Sequence, residues 1–320
     1  MFQYVLRRLA VTIPVFIAIT MAVFTLIALA PGDPMASYIS PELGTDPAVI
    51  ERLRHEFGFD QPIPIRYLNW LGQVAQGNLG YRIKTWDPVW PVIQQRFGPT
   101  LLLMSTALII GILIGVPLGV YSALNKYSLP DMALTGMVFL GISTPAFLVG
   151  LGSLYLFSLQ LDLFPAGGMH TLGKPESLLD TLHHLALPAL ILSANYIATM
   201  LRYTRAAMLD VIGEQYVTTA RAKGLSERVV IVRHALRNAL IPIVTVIGFS
   251  IPNLLAGAVF TETIFAWPGM GSLFIDGVNS RDFPLMMGVT LVTTTAVLLS
   301  NLITDVLYAV LNPKIRFGRG

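Results

Sequence analysis

The chain has 320 residues, of which 54% are hydrophobic and 12% are charged, and its mean hydropathy is +0.67. Soluble domains carry about 25% charged residues, so the composition excludes an ordinary soluble domain and indicates an integral membrane protein. A formal net charge of +3 does not by itself indicate nucleic-acid binding. The lack of cysteine excludes disulfides, a cysteine-based zinc site and a thiol nucleophile.

Long apolar runs predict the membrane crossings, because a helix needs about 20 mostly apolar residues to cross the hydrocarbon core of a bilayer. The qualifying runs are Leu9–Ala30, Thr100–Ala123, Met132–Leu161, Leu185–Leu201, Ala239–Phe260 and Pro284–Leu311. Several of them contain prolines, which are tolerated because neighbouring helices can satisfy the freed backbone groups. We therefore predict an all-α polytopic membrane protein with six transmembrane helices.

The distribution of lysine and arginine predicts the orientation. If the N-terminus is cytoplasmic, the inner segments hold more of these residues than the outer segments, as the positive-inside rule requires. We therefore expect both termini to be cytoplasmic. Residues 1–30 then contain the cytoplasmic N-terminus and the first transmembrane helix, residues 31–98 form an external helical cap, and residues 99–320 form a five-helix core.

The expected external cap contains residues that are typical of helix starts and ends. Asp46-Pro47 can begin a helix that ends at Gly58, because aspartate caps helices and proline suits the first turn. A second helix can occupy Pro64–Gly77, and Asp87-Pro88 can open a third that leads into the second crossing. The apolar face expected on the second helix consists of Ile65, Leu68, Leu71 and Ala75. The pattern fits either an ordered linker or a docking surface for an external partner.

Two features lie inside the predicted crossings. Gly111, Gly115 and Gly119 form two overlapping G-x-x-x-G steps, which allow close helix packing within the chain or against a partner subunit. Asp305 is a carboxylate in the last crossing, near its cytoplasmic end. An intramembrane carboxylate is a functional candidate by default, but this position favours a structural pair with a basic residue near the membrane surface.

Basic residues crowd into the predicted cytoplasmic loop at residues 202–240. Five of them fall within a stretch of 17 residues: Arg221, Lys223, Arg228, Arg233 and Arg237. The pattern predicts a helix over Asp210–Lys223 that Gly224 ends, followed by a second helix that Ser226 caps. Such a loop could obey the positive-inside rule alone, contact anionic lipid or dock a partner, and the capped two-helix layout favours docking.

The sequence shows no nucleotide-binding motif. The nearest imitation of the phosphate-binding G-x-x-x-x-G-K-[ST] loop is "GGMHTLGKP" (Gly167–Pro175), in which Pro175 replaces the required serine or threonine. The histidines show no ligand spacing on one face, and we interpret His183-His184 as a solvated pair at a helix entry rather than a metal site. We expect no catalytic residue, no cofactor and no metal on this chain.

The stretch "YVTTARAKGLSERVVIVRHALRNALIP" (Tyr216–Pro242) resembles the EAA-type cytoplasmic loop of ABC importer permeases, in the form found in the dipeptide, oligopeptide and nickel permease family. The Glu-Ala-Ala of the general motif is replaced here by Thr218, Thr219 and Ala220. Other stretches agree in order along the chain: "APGDP" (Ala30–Pro34), "STPAF" (Ser143–Phe147), "FPAGG" (Phe164–Gly168), "ETIFAWPGMG" (Glu262–Gly271), "NSRDFP" (Asn279–Pro284) and "DVLYAVLNPKIR" (Asp305–Arg316).

This resemblance implies a type I ABC importer transmembrane fold and a B-type permease subunit of the bacterial inner membrane. The implied partners are a homologous second permease, two ATP-binding subunits that carry ATP and magnesium, and an extracytoplasmic solute-binding protein. The implied substrates are short peptides, with nickel, glutathione or another small solute as the alternative. An ion-gradient-driven secondary transporter and an intramembrane enzyme are the rival functions from other classes.

The resemblance also assigns candidate residues. Asp87 and Glu262 are expected on the outer surface that receives the solute-binding protein. The basic loop is expected to form coupling helices that insert into a groove of an ATP-binding subunit. The residues expected at this contact are Ala220, Arg221, Lys223, Gly224, Leu225, Arg228, Val229, Arg233 and Arg237.

Overall fold

The computed structural model describes residues 2–30, 51, 55, 60–175 and 177–311. The predicted helix that begins at Asp46 lies almost entirely outside the described residues, as do the basic residues of the C-terminal end. The helices are α1 (Phe2–Ala28), α2 (Ile63–Ala75), α3 (Val89–Leu124), α4 (Leu129–Ser143), α5 (Ala146–Ser153), α6 (Leu178–Ile212), α7 (Gln215–Ala222), α8 (Glu227–Val229), α9 (Arg237–Ala256), α10 (Val259–Ile264), α11 (Met270–Ser280) and α12 (Phe283–Leu311). Two π-helical segments, Leu154–Gln160 and Val230–Leu236, continue α5 and α8.

Among the described residues, four helices are long and apolar enough to cross a membrane: α1, α3, α6 and α12. Two bent helix pairs pass the same test, and counting each pair as one span gives six, which agrees with the six predicted runs. The described residues form no β-strand, and an isolated bridge joins Tyr81 to Pro88. The predicted all-α polytopic class is therefore confirmed.

The third predicted crossing is broken rather than continuous. Its two parts, Leu129–Gly141 and Ala146–Gln160, meet at an angle of 97°. The break falls at Thr144, whose backbone is extended with φ −89° and ψ 126°. Because Thr144 precedes Pro145, the proline ring disfavours the helical conformation at Thr144 and ends α4 there. The fifth crossing bends by a smaller angle, 46°, between Leu240 and Pro242.

The chain divides into two compact units, one formed by residues 1–99 and 268–320 and the other by residues 100–267. In the first unit, α2 packs on α1 and α12 through a core of Phe24, Tyr67 and Met287. A hydrogen bond of 2.9 Å joins the Tyr67 hydroxyl to Oγ1 of Thr20, which fixes the rotation of α2 about its axis.

The apolar face predicted for α2 is wrong in part. Ile65 is 47% exposed and Leu68 is 63% exposed, whereas Tyr67 is buried and Trp70 is partly buried beside it. Both aromatic rings pack against Phe24, with ring-centre distances of 5.6 and 6.0 Å. The two large aromatic side chains bury more apolar area than the smaller aliphatic ones, so they determine which face is buried.

In the second unit, α3 packs closely on α6 along the predicted glycine face. A methyl group added at Gly111 would lie 2.3 Å from Cβ of Tyr196, and one at Gly119 would lie 2.6 Å from Cβ of Thr204. Gly115 is equally restricted, since the same addition would come within 2.8 Å of the backbone oxygen of Ile197. The three glycines therefore serve packing within this chain.

Candidate functional site

The basic loop folds into two short helices joined by a tight turn, which we call the basic helix pair (residues 215–237). The predicted single helix over Asp210–Lys223 is wrong, because α6 ends at Ile212 and α7 begins only at Gln215. Glu214 interrupts the helix with an extended backbone, φ −70° and ψ 147°. The preceding Gly213 lowers helix stability at this point, since glycine loses the most backbone entropy in a helix.

Gly224 makes the turn between the two helices, as predicted. Its φ is +76°, a left-handed conformation in which any side chain adds strain. The amide of Gly224 donates to the carbonyl of Arg221 at 2.9 Å, and that of Leu225 donates to Ala220 at 3.4 Å. These two bonds form a Schellman motif, which satisfies the carbonyls at the end of α7 and fixes the direction of the chain.

The second helix begins where the sequence predicts, although its cap differs. Ser226 has the extended backbone of a cap residue, but its side chain makes no capping hydrogen bond. Glu227 in the first turn instead accepts a hydrogen bond from Nη2 of Arg221 at 2.7 Å. This hydrogen bond raises the pKa of Arg221 above its usual value, so the guanidinium stays charged. This exposed ion pair joins the end of α7 to the start of α8.

The inner side of the basic helix pair is packed against the bundle. Val217, Ala220 and Val230 are buried, and they share one apolar cluster with Ala123 of α3 and Met208 of α6. Ala220, which the sequence places at the partner contact, is thus an internal packing residue with only 5% exposure. Apolar contacts therefore hold both helices of the pair on α3 and α6.

The exposed side chains of the basic helix pair are both apolar and basic. Leu225, Val229 and Val232 are 41%, 37% and 55% exposed. The exposed bases of the same helix pair are Lys223, Arg228, Arg233 and Arg237. Exposed apolar side chains together with charged ones are typical of a protein-binding surface.

The two residues expected at the outer surface differ in exposure. Asp87 is exposed, on a turn in which its carbonyl accepts from the amide of Arg82 at 2.9 Å. Glu262 is fully buried, and Oγ1 of Thr100 donates to its carboxylate at 2.8 Å. The expected docking role of Glu262 is therefore corrected, because a carboxylate with no exposed surface in this chain presents no atom to a docking protein.

The intramembrane Asp305 is paired. Arg8 of α1 donates to its carboxylate, with 2.5 Å between Nη2 and Oδ2, so the pair joins α1 to α12 within the first unit.

The histidine pair is less solvated than predicted, since His184 is 7% exposed and its Nδ1 lies 2.9 Å from the carbonyl oxygen of Asp180. No group of three histidine, aspartate or glutamate residues that could hold a metal is found in the described part of the chain.

An ion pair that the sequence did not predict joins the buried Asp131 to the partly buried Arg205. Nε and Nη2 of Arg205 donate to the two carboxylate oxygens of Asp131, each at 2.8 Å. Asp131 stands at the start of α4, where an aspartate also suits the first turn of any helix, so its pattern carries no signal of a distant partner.

The chain is similar to known transport proteins over its whole length. The model of the family "Binding-protein-dependent transport system inner membrane component" matches residues 115–317, and the model of its N-terminal part matches residues 1–104. A Brucella ovis protein whose name describes a peptide permease is 46% identical over 317 residues, covering 99% of each chain. The oligopeptide transport system permease protein AppB of Bacillus subtilis is 40% identical, covering 99% of this chain and 100% of the relative. The dipeptide transport system permease protein DppB of Escherichia coli is 39% identical, covering 99% of each chain.

Proposed function

Because the chain belongs to the family of binding-protein-dependent transport system inner membrane components, we propose that it imports short peptides as the permease subunit of an ATP-driven importer. Family membership and several apolar helices make it a multi-pass protein of the bacterial inner membrane. The peptide substrate rests on the names of its relatives, which describe peptide, oligopeptide and dipeptide permeases. Nickel, glutathione or another small solute is the alternative within the same machinery.

The observation that carries the proposal is the outer side of the basic helix pair. Leu225, Val229 and Val232 are exposed apolar side chains on a helix pair whose buried residues pack on α3 and α6. We assign this surface to the groove of a cytoplasmic ATP-binding subunit. The apolar side chains fill the groove, while Arg228 and Arg233 meet an acidic rim, since arginine is a frequent anchor at such interfaces.

Three of the candidate residues stabilise the basic helix pair itself. Ala220 packs the helix pair, and Gly224 sets the angle between its two helices. Arg221 already has a partner in Glu227, so its first role is to brace the turn. Lys223, Arg228, Arg233 and Arg237 are the bases that remain available to a partner.

The complete importer, in this proposal, contains a homologous second permease, two ATP-binding subunits and an extracytoplasmic solute-binding protein. ATP and magnesium are bound by the ATP-binding subunits, and this chain itself is not an enzyme. Both termini and the basic helix pair face the cytoplasm. Asp87 lies on the opposite side, where its exposed carboxylate suits contact with the solute-binding protein.

Reconstitution tests this function against the rivals. The purified complex in liposomes, supplied with its solute-binding protein, should take up a labelled dipeptide when ATP is present on the cytoplasmic side. Uptake should continue when ionophores collapse the ion gradients, whereas a secondary transporter would stop. Uptake of nickel but of no peptide under the same conditions would mean that nickel is the substrate and that the importer is still driven by ATP. Peptide uptake that follows a proton or sodium gradient without ATP would contradict the proposal.

A further inference from the structure

Asp131 joins three helices at one buried point. The residue is 2% exposed, and its carboxylate receives two hydrogen bonds from Arg205 of α6, each at 2.8 Å. The hydroxyl of Ser122 in α3 also donates to the carboxylate, and so does the backbone amide of Tyr127 at 2.9 Å. The carboxylate therefore ties the start of α4 to both α3 and α6. We call these four residues the aspartate joint.

The aspartate joint lies next to the residues of α3 and α6 against which the basic helix pair packs. Ser122 directly precedes Ala123, and Arg205 lies three residues before Met208. Ala123 and Met208 belong to the apolar cluster that holds Val217 and Val230 of the helix pair. A displacement of the helix pair thus acts on the same segments of α3 and α6 that grip Asp131.

Past its first turn, α4 is held mainly by apolar contacts. Val138 and Leu134 pack against Ala198 and Leu201 of α6, while its opposite face is exposed, with Phe139 at 67%. Apolar contacts are not directional, whereas a bidentate arginine–carboxylate pair fixes both position and angle. The aspartate joint is therefore the contact that makes the start of α4 follow α3 and α6 in orientation as well as in distance.

We propose that Asp131 is a positioning residue of the transport cycle, which transmits displacement of the basic helix pair to α4 and to the break at Thr144. This inference rests on the proposed function, since it requires an ATP-driven displacement of that pair. The joint moves as a unit, because separating the buried carboxylate from Arg205 would leave an uncompensated charge. Motion of α4 then changes the angle at its break with α5, which is 97° in this structure.

The test removes both charges together, in the complete importer reconstituted with its solute-binding protein and a labelled dipeptide. Asp131→Asn with Arg205→Gln leaves no unpaired charge behind, so a loss of transport does not arise from a stranded ion. The double variant should assemble and hydrolyse ATP at the wild-type basal rate. Its uptake per ATP hydrolysed should fall at least about fivefold, the lower end of typical coupling between sites.

Asp210→Asn is the matched control, because Asp210 is an exposed carboxylate on the same helix as Arg205. Its uptake per ATP should equal that of the wild type. If the double variant fails to insert, Ser122→Ala decides the question, since it removes a single donor and keeps the ion pair. A lowered ratio of uptake to hydrolysis in Ser122→Ala supports the inference, and an unchanged ratio contradicts it.

A purely structural role gives a different result. Abundance and uptake would then fall together while uptake per ATP stayed at the wild-type value, and this result in the double variant would overturn the inference. A wild-type complex that shows no ATP-dependent uptake would overturn the proposed function, and the inference with it. The two failures are therefore distinguished before any variant is compared.

Discussion

Arg221 and Glu227 form an ion pair across the turn at Gly224, with 2.7 Å between Nη2 of the arginine and Oε1 of the glutamate. The pair joins the last turn of α7 to the first turn of α8, so it braces the angle between the two helices. Glu227 is the only acidic residue of the basic helix pair, and its carboxylate is paired within the chain. The other bases of the helix pair, Lys223, Arg228, Arg233 and Arg237, have exposed side chains.

Exchanging these two charges shows whether Arg221 stabilises the turn or contacts the partner directly. Arg221→Glu should place two carboxylates side by side, loosen the turn and lower the amount of ATP-binding subunit that co-purifies. Adding Glu227→Arg restores an opposite pair and should recover most of that amount, measured by quantitative immunoblot at equal membrane abundance. If the exchanged pair recovers nothing, Arg221 contacts the partner directly and its bracing role is contradicted.

Arg228 should behave differently, because the structure shows it exposed on the outer side of the basic helix pair. Arg228→Glu should leave insertion unchanged and weaken binding of the ATP-binding subunit, since like charges at an interface are repulsive. The weakening should be larger at low salt than at high salt, because salt screens exposed charges. Titration of the purified subunit onto the permease measures it.

Lys174→Glu is the control for this substitution. Lys174 is an exposed base on a different loop, and its replacement changes the net charge by the same amount. Equal loss of binding in both variants would mean that net charge, not the local surface, controls the association. Arg228 would then have no specific part in the contact.

The glycine face of α3 gives a prediction about folding. Gly115→Leu should destabilise the packing of α3 on α6 by about 1–3 kcal/mol, the usual range for overpacking a core. A methyl group there already comes within 2.7 Å of Cβ of Met200. Gly136→Leu is the control, since nothing lies within 4 Å of a methyl group at that site. Thermal unfolding in detergent should show the lower midpoint for Gly115→Leu, and equal midpoints would contradict the packing role.

The absence of cysteine makes the orientation directly measurable. Single cysteines at Thr85 and Ser226, both exposed, should react from opposite sides of the membrane, Thr85→Cys from outside and Ser226→Cys from the cytoplasm. A membrane-impermeant maleimide applied to intact spheroplasts and then to inverted vesicles distinguishes the two sides. Labelling of both positions from the same side would overturn the predicted topology.

The sequence predicts local features of this protein better than distant ones. The apolar runs, the turn at Gly224 and the start of α8 follow from composition and short patterns, and the structure agrees with them. The ion pair of Asp131 and Arg205 joins residues 74 positions apart, so no local pattern signals it. The burial of Glu262 is equally invisible, because a glutamate in an outer loop is usually exposed.

If the basic helix pair couples this chain to an ATP-binding subunit, a substitution that distorts the turn at Gly224 should abolish the coupling. Gly224→Val places a β-branched residue at φ +76°, at a cost of about 1–3 kcal/mol, which misdirects the second helix without unfolding the membrane bundle. Gly224→Asn is the tolerated comparison, since asparagine adopts left-handed backbone more readily. Gly213→Val is the positional control, because Gly213 has φ −81° and open space around it.

The measurement is ATP-driven uptake together with retention of the ATP-binding subunit, at wild-type membrane abundance. Gly224→Val should lose both, while Gly224→Asn and Gly213→Val keep most of each. Full uptake with an intact complex in Gly224→Val would contradict the coupling role of the basic helix pair.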